Sequence, residues 1–71
     1  MPLSTTVTAR RANLIAVFAR KAARNGIAFS LTLASECTEA AGLAEDALTD
    51  RQRHRCQNIA RKAIEDFNHE R

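Results

Sequence analysis

Apolar residues recur every three to four positions through three stretches of this chain, and the recurrence is interrupted at few places, chiefly Asn25-Gly26 and Thr49. That period of about 3.6 residues predicts an all-α fold. The first stretch is expected to be helical from about residue 7 to 25. Ser4, Thr5, Thr6 and Thr8 offer caps at its start, and Gly26 can take a left-handed backbone at its end. At 100° per residue Val7, Leu14, Ile15, Phe18, Ala19 and Ala22 share one face, with Arg10, Asn13, Arg20, Lys21 and Arg24 on the opposite arc. Val17 falls in the middle of that basic arc.

Phe29 and Ser30 read as a staple residue and N-cap for a second helix over 31–48, with a narrow ridge of Leu33, Ala34, Cys37, Ala40, Ala41, Ala44 and Leu48. Gly42 costs about 1 kcal/mol in a helix interior. The alternative is therefore a helix that stops there and resumes as a short turn through 43–48. Thr49 with Gln52 forms a capping-box pattern that opens a third helix over 50–68, with Cys56, Ile59, Ala60, Ala63, Ile64 and Phe67 inward. Its outer face carries Arg51, His54, Asn58, Arg61, Lys62 and Glu65. The expectation is one three-helix domain across residues 1–71.

How such a domain holds together is the next constraint. Hydrophobic residues make up 45% of 71 positions, but 14 residues are Ala, and Phe18, Phe29 and Phe67 are the only aromatics. A core of small side chains in so short a chain predicts a homodimer, because apolar burial then needs a second surface. No apolar run approaches the roughly 20 residues that span a bilayer, so a soluble protein with no membrane span is expected.

Charge is unevenly distributed. The net charge is +3, yet residues 1–29 hold five bases and no acid, and residues 30–50 hold five acids (Glu36, Glu39, Glu45, Asp46, Asp50) and no base. From 51 onward six bases face three acids, and Arg outnumbers Lys nine to two, a ratio that a GC-rich genome also produces. The basic arc of the first helix has three readings: docking on the acidic second helix within the chain or across a dimer, an anionic phosphate or membrane face, or a grip on an acidic protein partner. The last two leave Arg10, Val17, Arg20, Lys21 and Arg24 as partner-binding residues.

The third helix offers a different reading. Residues 41–48 place a Gly and two Leu near where a helix-turn-helix turn wants them, although Arg51 occupies a position where an apolar residue is expected. A transcriptional regulator of this kind would use Arg51, Gln52, Arg53 and Arg55 on bases, with Arg61 and Lys62 on phosphates.

Little else points to chemistry. Cys37 and Cys56 lie on apolar stripes, about 18 Å and about 10 Å from a turn near Thr49 at 1.5 Å per residue, which predicts two free buried thiols rather than a disulfide. His54 and His69 fall on the outer face of the third helix. There is no glycine-rich phosphate loop, no metal-ligand spacing and no carboxylate pair set for acid–base work, so no enzyme activity, cofactor or small-molecule substrate is expected. The two separated cysteines and the absence of a secretory-type apolar segment point to a reducing cytoplasm. The leading expectation is thus a regulatory or inhibitory factor that binds a larger protein, of a size familiar among the accessory factors of bacteria and their phages. A dimeric DNA-binding regulator is the alternative.

Overall fold

A computed structural model describes residues 3–70, which fold as α1 (Ala9–Arg24), α2 (Leu31–Ala40), a 3-10 turn (Glu45–Ala47) and α3 (Asp50–His69). The all-helical, three-helix expectation holds, with two changes of boundary. Of the four candidate caps it is Thr8 that closes the start of α1. Its backbone is extended (φ -78°, ψ 164°) and its hydroxyl accepts the amide of Arg11 at 3.2 Å, so the helix starts at Ala9.

The larger correction concerns α2, which ends at Ala40 rather than 48. Gly42 has φ +90°, its amide donates to the Glu39 carbonyl at 2.9 Å, and the Leu43 amide reaches back to the Thr38 carbonyl at 3.2 Å. This is a Schellman motif, which satisfies carbonyls that the helix would otherwise leave unpaired. It also turns Leu43 into the core, where the side chain is fully buried. Residues 43–48 then run as the short turn that Gly42 made the alternative.

α1 ends by the same device. Gly26, at φ +80°, donates to the Ala23 carbonyl at 2.9 Å, and Ile27 donates to the Ala22 carbonyl at 3.0 Å. A methyl group added at Gly26 would meet nothing within 4 Å, and at Gly42 only the Arg11 Nε at 3.9 Å. The cost of Gly26→Ala or Gly42→Ala is therefore torsional, about 1–2 kcal/mol for each. Urea titration should show the two variants with similarly lowered midpoints and unchanged slopes; a cost near zero at either glycine would mean that its helix ends differently.

α3 opens with the expected capping box. The Gln52 amide donates to the Thr49 hydroxyl at 3.2 Å, and the Thr49 amide donates to the Gln52 side-chain carbonyl at 2.9 Å. The Gln52 side-chain amide also donates to the Thr5 carbonyl at 3.1 Å. Thr5 belongs to an extended strap ahead of α1. Ser4 donates to the Gly42 carbonyl at 2.9 Å and accepts from the Ala44 amide at 2.7 Å, forming an isolated parallel bridge with Leu43. The Arg11 guanidinium fixes the other end of the strap by donating to the Thr6 carbonyl at 2.9 Å.

The molecule measures 36 × 23 × 20 Å, with α1 packed against both other helices and most extensively against α3. Alanine supplies much of that contact. Ala19, Ala22 and Ala23 are the buried residues of α1 beside Ile15, and Ala60 and Ala63 are buried on α3 beside Cys56 and Ile64. Small side chains let helix axes come close to the lower end of the usual spacing of about 8–10 Å. The buried faces of these two helices are accordingly lined largely by small side chains. Thr38, the buried polar residue of the core, donates its hydroxyl to the Ala34 carbonyl at 2.8 Å, so no unmet polar group is left there.

Candidate interaction surface

The outer arcs of α1 and α3 meet along a shallow groove. α1 contributes Asn13, Ala16, Val17 and Arg20, and α3 contributes Ile59, Lys62, Ala63 and Asp66. Ile59 and Lys62 also border a second depression that runs along α3 past Arg51, His54, Arg55 and Asn58. The two form one continuous surface with Ile59 near its middle. Its α3 residues recur three to four positions apart, the spacing that puts side chains on a common helix face.

Val17 is 50% exposed and Ile59 half-buried, so an apolar centre stands open to solvent. Around it lie Arg20, Arg51, Arg55 and Lys62, with Asp66 as the one acid lining the groove. The ion pairs formed among the described residues are Arg53 with Glu45 and Asp50, and Arg61 with Glu65; none uses these four bases. Arg51 and Arg55 are four residues apart on the same helix, an arrangement of like charges that costs a helix about 0.2–0.5 kcal/mol. An anionic partner would relieve that repulsion.

The residues expected to bind a partner are divided by the fold. Val17 and Arg20 enter this surface. Arg10 lies instead in a depression beside Leu3, Leu14 and Gly42, Lys21 stands at the rim of a groove between α1 and α2, and Arg24 is exposed near the end of α1. None of the five bases of α1 pairs with an acid among the described residues, so of the first reading the within-chain form has no ion pair behind it, while the form across a dimer is a separate matter.

The residues expected to bind DNA divide as well. Arg51, Arg55 and Lys62 join Val17 and Arg20 on the common surface. Gln52 is held by the capping box and by Thr5. Arg53 is held by Glu45 at 3.4 Å, Asp50 at 3.0 Å and the Leu48 carbonyl at 3.2 Å. Arg61 donates to the Asn58 side chain at 2.6 Å and lies 4.0 Å from Glu65. The connection from α2 to α3 covers residues 41–49, well beyond the roughly three to four residues of a helix-turn-helix turn.

Ile59, which helical periodicity assigned to the core, is half-buried: it packs against the core and at the same time lines both depressions. It lies at the edge of the apolar arc of α3, on the side of Lys62, and that edge position was the available signal. Both cysteines are free and buried. Burial pushes both thiols above the ordinary cysteine range; Glu36 adds to the effect at Cys37, while the Thr38 hydroxyl and Arg55 partly offset it at Cys56. Protonated, enclosed thiols are poor nucleophiles. His54 and His69 are exposed, and among the described residues no three His, Cys, Asp or Glu side chains converge as metal ligands. Among the described residues no helix is long and apolar enough to cross a membrane.

Comparison with known protein families, curated proteins and solved structures gave no match.

Proposed function

We propose that this chain is a regulatory or inhibitory binding factor that works as a homodimer and holds an acidic segment of a larger protein in the groove between α1 and α3. The observation that carries this reading is the exposed Val17 in a groove shared with Ile59, bordered by Arg20, Lys62 and Asp66, with Arg51 and Arg55 in the adjoining depression; among the described residues none of these four bases forms an ion pair. An apolar centre with a charged rim is the usual anatomy of a protein–protein contact. Phosphate backbones, by contrast, offer nothing for a valine and an isoleucine to bury against. Arg20, Arg51, Arg55 and Lys62 then steer and orient the acidic partner, while desolvation of the two aliphatic side chains supplies affinity.

The test is affinity capture with the wild-type chain and with Val17→Asp, a change at a half-exposed position that leaves the helical spectrum intact. A bound acidic protein should be retained by the wild type and lose about thirtyfold or more in affinity against the variant, the range of an interface hot spot. Capture of nucleic acid instead, with affinity falling steeply as salt rises and indifferent to Val17→Asp, would overturn the proposal in favour of phosphate binding.

A further inference from the structure

A second apolar groove lies on the other side of α1, against α2. Phe18 and Ala22 of α1, Leu33 of α2 and Ile27 of the connecting loop line it, with Lys21 on the α1 rim and Glu36 on the α2 rim. Ile27 is the informative residue. It follows the glycine of a Schellman motif, the position whose side chain ordinarily packs back on the last turn of the helix. At the end of α2 the equivalent residue, Leu43, is fully buried, but at the end of α1 the residue to be met is Ala22, too small to cover an isoleucine, and Ile27 stays 50% exposed.

The rim charges decide what covers it. This groove carries a base on one wall and an acid on the other, and Lys21 and Glu36 form no ion pair with each other. A partner of one sign would meet repulsion on one wall. A second copy related by a two-fold axis would not, because an isologous contact sets each residue i against residue j of the partner and j against i. We infer that the α1–α2 groove is the homodimer interface, with Ile27 and Phe18 buried at its centre and Lys21 of each copy facing Glu36 of the other. This rests on the homodimer reading above and assigns it a surface, one that leaves the α1–α3 groove free for the larger partner.

The experiment compares the mass in solution, by sedimentation equilibrium, of the wild type, Lys21→Glu, Glu36→Lys, and an equimolar mixture of the two variants. The wild type should dimerise, each variant alone should dimerise at least about tenfold more weakly because both rim contacts become repulsive, and the mixture should recover dimer because both contacts become attractive again. Recovery in the mixture requires two chains, so neither a folding defect nor an attraction within one chain imitates it. A monomeric wild type would overturn both the interface and the homodimer reading. A wild-type dimer whose variants associate normally, or whose variants fail to recover on mixing, would overturn this interface and leave dimerisation through another surface standing.

Discussion

Leu43→Ala should lower the thermal midpoint of this domain by at least about 10 °C. Leu43 is completely buried, and it follows the glycine that ends α2, so its side chain is what pins the α2 terminus and the 43–48 turn to the rest of the core. Truncation of a buried leucine to alanine costs about 2–5 kcal/mol, part from lost transfer free energy and part from the cavity left behind. A domain below about 70–80 residues holds only about 3–5 kcal/mol in total. Since 1 kcal/mol moves the midpoint by about 4–8 °C at this size, a circular-dichroism melt reads the loss directly. A shift of only a few degrees would mean that the turn collapses into the cavity, and that Leu43 is not the pin described here.

The second large effect has the opposite geometry. Ala60 of α3 is completely buried on the helix that packs most extensively against α1, where Ala19 is equally buried. Ala60→Leu adds three carbons at a position with no exposed surface, on the helix packed most extensively against α1. Overpacking of this kind costs about 1–3 kcal/mol, and relief comes only by moving α1 away from α3. Because that motion splays the groove in which Val17 and Ile59 lie side by side, the variant should lose partner affinity along with stability. A variant as stable as the wild type, or more so, would show slack between the two helices and refute close alanine packing.

The two substitutions also mark where sequence reasoning succeeded and where it stopped. Periodicity and caps located all three helices, because each amphipathic stretch carries its own signal: Thr49 with Gln52 for α3, Asn25-Gly26 for the end of α1. The end of α2 was ambiguous in one dimension, since Ala41, Ala44 and Leu48 keep helical spacing past Gly42. Only the tertiary position of Leu43 decides that Gly42 terminates the helix. The alanine content looks like a deficit of core in the sequence, yet alanines make up much of the buried faces of α1 and α3.

The candidate surface was legible in part. Val17 stood out on its own helix as an apolar residue in a basic arc, but periodicity orders the faces of each helix separately and does not say which faces adjoin. Arg20 and Arg55, assigned to different partners on sequence grounds, therefore turn out to border one continuous surface. Gln52 and Arg53 went the other way. The capping role of Gln52 is legible in the chain, but its bond to the Thr5 carbonyl, and those of Arg53 to Glu45 and the Leu48 carbonyl, depend on how the fold brings these segments together.

The strap ahead of α1 has a bearing on how order is distributed through the molecule. Its long-range partners are the Gly42 carbonyl, the Ala44 amide and the Gln52 side chain, which exist in the right places only when α2 has ended and α3 has begun. Ser4 and Thr5 thus close loops across most of the chain, an entropic cost that nothing local repays. A partly folded molecule that lacks either the end of α2 or the start of α3 has no place for the strap. Hydrogen exchange at the Ala44 amide, whose partner is the Ser4 carbonyl, accordingly reports the joining of three distant segments at once, so that a few residues with almost no burial of their own act as the latch on the completed fold.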